Sequence, residues 1–198
     1  MSLTPLSNTC SASIRSVGIQ SQAPGSEFKY LYFDFDGVMT DDTVMIDQSG
    51  KEYVTCSRLD GAGIALIKKA NELKFLNLEM AIVSSEKNSV VKARAAKLQI
   101  PCFQGVKNKY EFLLSGKSLS KKCEVPFDFM DLVFLGNDLN DLAVMQAAGF
   151  SISPKNAHPV IKEISTKTFA ESGGKGFVRA VTEWLIGSAN VAQLIEKV

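Results

Sequence analysis

Asp34-Phe35-Asp36-Gly37, Ser84-Ser85, Lys109 and Gly136-Asn137-Asp138-Leu139-Asn140-Asp141 are the segments of this sequence whose side chains are suited to chemistry. Asp34 and Asp36 alternate with Phe35, so in extended chain their carboxylates project to the same side. Gly37 follows directly and lets the backbone turn closely around a ligand, because glycine tolerates conformations closed to other residues. Asn137, Asp138 and Asp141 add a second set of oxygens. Carboxylates gathered in a partly buried crevice repel one another and lose hydration. A cation among them relieves that cost, and hard oxygen donors point to Mg²⁺. One Mg²⁺, the Lys109 ammonium, the Ser84 hydroxyl and backbone amides make a receptor for a phosphoryl group.

These groups need elements that deliver them to one place. The apolar runs 30–33, 80–83 and 132–135 read as strands, and they end at Asp34, Ser84 and Gly136. In open parallel α/β sheets the ligand crevice lies outside the carboxyl ends of the strands, so neighbouring strands would bring the three polar clusters together. Apolar runs alternating with helical patterns from residue 29 onward predict an α/β fold: one Rossmann-like domain whose parallel sheet carries helices on both faces. Helices are predicted from about Asp60, over 88–98, from 108–110, through Met145 and over 177–186, with weaker strands at 101–103 and 150–152. Residues 43–46 and 53–56 flank the turn-rich 47–51 and read as a β-hairpin with a loop longer than two residues. No cap domain is expected, because the segments between the clusters are too short for one.

The whole chain narrows the function classes. Its 198 residues carry 22 Lys+Arg against 21 Asp+Glu, a balance that supplies no field for nucleic acid or an anionic membrane surface. Apolar residues at 45% and charged residues at 22% rule out the composition of a disordered chain. Cys10, Cys56, Cys102 and Cys123 form no C-x-x-C pair, which speaks against a zinc knuckle or dithiol and for reduced thiols in a cytoplasmic protein. No run approaches the ~18–20 apolar residues of a membrane span. Residues 1–28, rich in Ser, Thr, Gly, Gln and Pro, are expected to be a flexible leader ahead of a domain spanning 29–198.

Taken singly, each cluster has a plainer use. D-x-D-G occurs in turns and calcium loops, Asn and Asp at a helix start cap free amides, Ser84 suits a cap, and Lys109 suits a solvated face. Their order along one chain, each at the end or edge of a separate predicted strand, favours a site.

With those residues in hand, the sequence resembles the haloacid dehalogenase (HAD) superfamily of phosphotransferases. Asp34 to Asp41 is similar to the D-x-D-G-x-x-T-D motif, Ser84 to the second motif and Lys109 to the third. Gly136 to Asp141 matches the fourth with one change. Within the superfamily it is most similar to the capless 3-deoxy-D-manno-octulosonate 8-phosphate phosphatases, and to the phosphatase-like domains attached to acylneuraminate cytidylyltransferases. The narrower likeness rests on the hairpin, Arg58-Leu59-Asp60-Gly61-Ala62-Gly63-Ile64, Phe103-Gln104-Gly105, Ala157-His158-Pro159 and Gly173-Gly174-Lys175-Gly176.

The resemblance implies a Mg²⁺-dependent phosphatase acting on a 2-keto-3-deoxy sugar acid phosphate. Asp34 would be the nucleophile that forms an aspartyl-phosphate, Asp36 the acid and base, and Ser84 and Lys109 the holders of the phosphoryl oxygens. It implies metal ligation among Asp34, Asp36, Asn137, Asp138 and Asp141, and substrate contacts by Gly37, Arg58, Asp60, Gly61, Ser85, Arg94 and Lys175. It implies a homotetramer in which the hairpins of 43–56 associate and a neighbour closes the site.

Two departures stand out. Asn137 occupies a position that is usually Asp, which weakens metal binding unless Asp138 or Asp141 compensates. Ser84-Ser85-Glu86 replaces the Thr-Gly-Arg of octulosonate phosphatases and keeps acylneuraminate 9-phosphate open as substrate. Asn137 also motivates a second class, a catalytically impaired oligomerisation module. A phospho-receiver domain is disfavoured because no lone strand-end Asp lies between Asp60 and Asp128. A dinucleotide binder is disfavoured because Gly61-Ala62-Gly63 lacks a third Gly.

Overall fold

The computed structural model describes residues 23–116 and 127–196. In chain order the elements are β1 (Tyr30–Phe33), β2 (Met45–Ile46), β3 (Glu52–Tyr53), α1 (Arg58–Glu72), β4 (Glu79–Val83), α2 (Ser89–Leu98), β5 (Cys102–Phe103) and α3 (Lys109–Leu114). After the second described boundary come β6 (Leu132–Leu135), α4 (Leu142–Ala147), β7 (Phe150–Ser153), α5 (Pro159–Ile164), β8 (Lys167–Thr168), α6 (Phe177–Ile186) and α7 (Ser188–Glu196). Short 3-10 turns occupy Pro24–Glu27, Phe129–Asp131 and Leu139–Asp141.

Six strands form one parallel sheet in the order β5-β4-β1-β6-β7-β8, and β2 pairs antiparallel with β3 outside it. β1 and β6 are buried along their whole length, as continuous apolar runs require in a sheet covered on both faces. Successive side chains feed opposite layers. Leu31 and Phe33 meet Ile64 and Ile67 of α1 and Phe177, Val181 and Leu185 of α6. Tyr30 and Tyr32 lie in the other layer with Leu113 of α3, Val144 and Met145 of α4, and Ile161 of α5.

Register positions the chemistry. Phe33 pairs with Ile82 on one side and Leu135 on the other, so Asp34, Ser84 and Gly136 all leave the sheet at its carboxyl edge. The central strands thus bring together what the sequence places more than a hundred residues apart.

Several predicted boundaries shift. The first helix is capped by Ser57, whose side chain accepts from the Leu59 N–H, and Asp60 falls inside its first turn. The hairpin strands shrink to Met45–Ile46 and Glu52–Tyr53, with Asp47 accepting from Ser49 and Lys51 amides in the loop. The last residues of the expected leader pack against the domain. Pro24–Glu27 forms a turn whose Gly25 lies so close to Leu185 of α6 that a Cβ there would stand 3.1 Å from it; residues 1–22 lie outside the described residues. After β1, the described chain holds the hairpin and no helical cap before α1.

Candidate active site

Asp34 ends β1 with its backbone tied across the sheet, its N–H donating to the Leu135 carbonyl at 2.9 Å. Asn108 caps α3 by accepting from the Glu111 N–H, which sets Lys109 at the first helical position, pointing inward. The Lys109 ammonium lies 2.7 Å from Asp34 Oδ1 and 2.6 Å from Asp141 Oδ1, with all three side chains sealed from solvent. Lys109 is therefore no solvated surface charge. Burial disfavours its charge, but the two carboxylates outweigh that, so its pKa is raised and the ammonium persists at neutral pH. Burial, then the Asp34 charge, pushes Asp141 up to about 7 against the pull of Lys109. One ammonium between two carboxylates leaves net negative charge, an environment that favours a further cation.

The loop after Asp34 closes on itself through Thr40. The buried Thr40 hydroxyl donates to Asp36 Oδ1 at 3.4 Å and accepts from the Gly37 and Asp42 amides, each at 3.2 Å. Asp36 is half-buried, and burial, followed by repulsion from Asp34, Glu86 and Asp42, pushes its pKa up to about 6. Gly37 has φ +73°, and a Cβ there would stand 1.9 Å from Asn137 Nδ2. Only glycine permits both the turn and the approach of the fourth-motif loop.

The candidate metal ligands divide. Asn137 Oδ1 is buried with no hydrogen-bond partner, an orphaned acceptor in a crevice of negative charge, which is the condition a cation would relieve. Asp141 is turned away: Oδ1 binds Lys109, and Oδ2 accepts from the Asn137 amide at 3.0 Å. Asp138 forms a capping box with Asp141 at the Leu139–Asp141 turn and is exposed. The turn thus engages one oxygen of Asp138, and Lys109 and the Asn137 N–H engage both oxygens of Asp141. Among the described residues no three His, Cys, Asp or Glu side chains form a ready-made metal cluster.

Ser84 is buried, and its Oγ accepts from the Glu86 N–H at 3.0 Å, leaving its own proton free to donate. Ser85 accepts from Asn140 Nδ2 at 3.2 Å, a bridge between the second and fourth motifs. A cavity of about 240 Å³ opens beside Asp36, walled by Val44, Glu52 and Val54 of the hairpin region and by Glu86, Asn88 and Val90.

The remaining expected substrate contacts do not converge on Asp34. Arg58, Gly61 and Arg94 line a separate cavity of about 450 Å³ with Lys97, and Arg94 donates to the Ser57 carbonyl. Asp60 is buried under α6 and accepts from the Arg179 N–H at 3.1 Å. Lys175 pairs with Asp41 at 2.9 Å. Adjacency to a glycine turn in a linear motif does not tell a ligand contact from a packing contact. Thr40 is the residue sequence reasoning undervalued, although its place six residues after Asp34 in the first motif was the available signal.

No family model matches the chain. It is 30% identical over 159 residues to the 3-deoxy-D-manno-octulosonate 8-phosphate phosphatase KdsC of Salmonella typhi, covering 80% of this chain and 79% of that protein. A structure described as that of a HAD family hydrolase from Streptomyces avermitilis superposes with a TM-score of 0.73 at 34% identity, covering 83% of this chain and 88% of that one. The 3-deoxy-D-manno-octulosonate 8-phosphate phosphatase of Moraxella catarrhalis, solved with magnesium, phosphate and KDO, shares the fold with a TM-score of 0.74 at 24% identity over 88% of this chain and 96% of that one.

Proposed function

The chain belongs to the 3-deoxy-D-manno-octulosonate 8-phosphate phosphatase family of HAD hydrolases, and from that premise we propose that it hydrolyses 3-deoxy-D-manno-octulosonate 8-phosphate through an aspartyl-phosphate on Asp34. The observation that carries the reading is the buried contact of Lys109 with Asp34 at the carboxyl edge of the sheet. It holds the nucleophile in one orientation and supplies fixed positive charge where phosphoryl oxygens arrive, without reorganisation at the moment of reaction.

Asp34 attacks phosphorus as the ester P–O bond breaks, and Asp36 gives its proton to the departing sugar oxygen. Asp36 then takes a proton from the water that attacks the aspartyl-phosphate, which frees phosphate and restores both carboxyl groups. A carboxyl pushed up to about 6 suits both halves of that cycle. Ser84 and Lys109 hold the phosphoryl oxygens. Mg²⁺, the ion accompanying phosphate in the Moraxella protein, would sit among Asp34, the Asp36 carbonyl and Asn137 and neutralise phosphoryl charge.

A second substrate, an acylneuraminate 9-phosphate, stays open on the Ser84-Ser85-Glu86 departure: Glu86 stands in the wall of the cavity beside Asp36, where an Arg would pair with a substrate carboxylate, so the pose of octulosonate phosphatases does not transfer. The reading carries a cytoplasmic homotetramer built on the exposed hairpin. No helix among the described residues is long and apolar enough to cross a membrane.

The test is phosphate release with Mg²⁺ from octulosonate 8-phosphate, an acylneuraminate 9-phosphate and an aryl phosphate. Release that Asp34→Asn abolishes is expected, strongest from one sugar acid. No release above that variant from any ester, by folded protein at millimolar Mg²⁺, would overturn the phosphatase reading in favour of an assembly module.

A further inference from the structure

Asp60-Gly61-Ala62-Gly63 and Gly173-Gly174-Lys175-Gly176 are two motifs that the phosphoryl chemistry leaves unused, and the fold joins them. Asp60 lies in the first turn of α1 with 3% of its surface exposed. Its Oδ1 accepts from the Arg179 N–H at 3.1 Å and its Oδ2 is buried without a hydrogen-bond partner, and burial raises its pKa against the pull of the Arg179, Gly176 and Val178 amides. Those amides belong to the start of α6, whose own N-cap, Gly176, has no side chain to satisfy them. An acidic side chain of α1 thus caps α6 from outside, with the favourable sign for the helix dipole. Gly63 makes the approach possible: a Cβ there would stand 2.5 Å from Thr182 Oγ1 and 2.9 Å from the Arg179 Cα.

The segment immediately before α6 presses on the loop that carries Asp36. A Cβ on Gly173 would stand 1.8 Å from the Gly37 carbonyl oxygen, and one on Gly174 would stand 2.5 Å from the Thr40 carbonyl carbon. The Gly174 N–H donates to the Val38 carbonyl at 3.0 Å. Lys175 pairs with Asp41 at 2.9 Å. Thr40, clasped by this segment, is the residue whose hydroxyl holds the Asp36 carboxyl.

We infer that Asp60 is a positioning residue of the phosphoryl site, which fixes the start of α6 and, through Gly173 to Lys175, the Gly37 to Asp41 loop that aims Asp36. This deepens the phosphatase reading and rests on it. Asp60 touches neither Asp34 nor Lys109, so its effect is on the aim of the acid and base and not on substrate binding. Misplacing a proton donor by about 1 Å costs on the order of a hundredfold in rate.

The experiment compares wild type, Asp60→Asn and Asp60→Ala in kcat and KM for the hydrolysed ester, together with hydrogen exchange at the Gly174 amide. Asn71→Ala is the control. Asn71 bridges the Leu78 backbone at the other end of the sheet, so its loss lowers stability without touching the loop. The expected result is a kcat lowered about a hundredfold in Asp60→Ala, KM within a few-fold, faster Gly174 exchange, and substantial rescue in Asp60→Asn, which keeps an acceptor of the same size. Asn71→Ala should lose thermal stability with kcat unchanged.

A raised KM with kcat intact would make Asp60 a substrate contact and overturn the inference, as would a kcat loss that Asn71→Ala shares at matched stability. If Asp60→Ala does not fold, Asp60→Leu decides, since it keeps the bulk and removes the acceptor, and wild-type kcat with wild-type Gly174 exchange in that variant overturns the coupling. Exchange needs no substrate. A wild type inactive on every ester therefore sinks the phosphatase reading, whereas unchanged Gly174 exchange in Asp60→Ala sinks the coupling.

Discussion

Lys109 Nζ stands 2.7 Å from Asp34 Oδ1, and both side chains are all but closed to water. A buried charge pair of this kind is neutral to stability as a whole but costly to break, because the survivor is left without a partner. Asp141, 2.6 Å away on the other side, raises the stakes.

Lys109→Met should therefore destabilise the fold by about 3–5 kcal/mol in urea titrations without metal. Adding Asp141→Asn to it removes one stranded carboxylate and should restore part of that stability. Phosphate release should be absent from both proteins. Recovery of activity along with stability would show that Lys109 serves folding alone.

Asp36 supplies a pH signature. Its pKa is raised from the ordinary 3.8 to about 6 by burial first and Asp34 second, so the folded state favours the protonated carboxyl. The stability associated with that preference is full below about 3.8 and is lost as pH rises through about 6. In metal-free buffer at pH 7.5, Asp36→Asn should unfold at higher denaturant than wild type, by about 1 kcal/mol once solvent screening of this half-exposed group is allowed for. The two should converge near pH 3.5. Equal stabilities across the range would remove the strained carboxylate from the account.

Asn137 is a neutral ligand where one more charge fits. Its Oδ1 is buried without a partner beside a negatively charged crevice. Asn137→Asp should lower the Mg²⁺ concentration for half-maximal phosphate release about tenfold, since ligand charge tunes affinity for hard cations. Without Mg²⁺ the same variant should melt earlier than wild type, because another carboxylate joins Asp34 and Asp141. A variant whose Mg²⁺ dependence matched wild type would mean that position 137 does not face the ion.

The parts of this fold legible in the sequence are those where one physical signal dominates. The strands at 30–33 and 132–135 are buried on both faces and read as unbroken apolar runs, and α6 carries a strong amphipathic period over 177–186. By contrast α5 is six residues begun by a proline, and β8 is two residues at the sheet edge, joined to β7 through Ser153 and Thr168 hydroxyls. Neither is long enough to show a period. At the site, residue types at two strand ends and a helix start singled out Asp34, Ser84 and Lys109, which the fold places at the carboxyl edge of the sheet. The choice between metal ligand and cap at Asp138 and Asp141 depended on which atoms the turn and Lys109 claim, which spacing does not encode.

The hairpin bears on assembly. Val44, Met45, Ile46 and Tyr53 expose 54%, 67%, 60% and 40% of their surface on a two-stranded ribbon that pairs with no strand of the main sheet. Such a ribbon is marginal alone in water, and four exposed apolar side chains along it suit burial against another copy. Val44 and Glu52 also wall the cavity beside Asp36, and Glu52 accepts from Asn88 at the cap of α2. Loss of assembly should therefore reach the substrate pocket. With the proposed tetramer built on this ribbon, Met45→Glu with Ile46→Lys should shift the sedimenting species to smaller forms than wild type, and it should lower kcat/KM for the proposed sugar acid ester more than for an aryl phosphate, whose small leaving group needs no wall. A variant that stays tetrameric, or loses both activities in equal measure, would place the oligomer contact elsewhere.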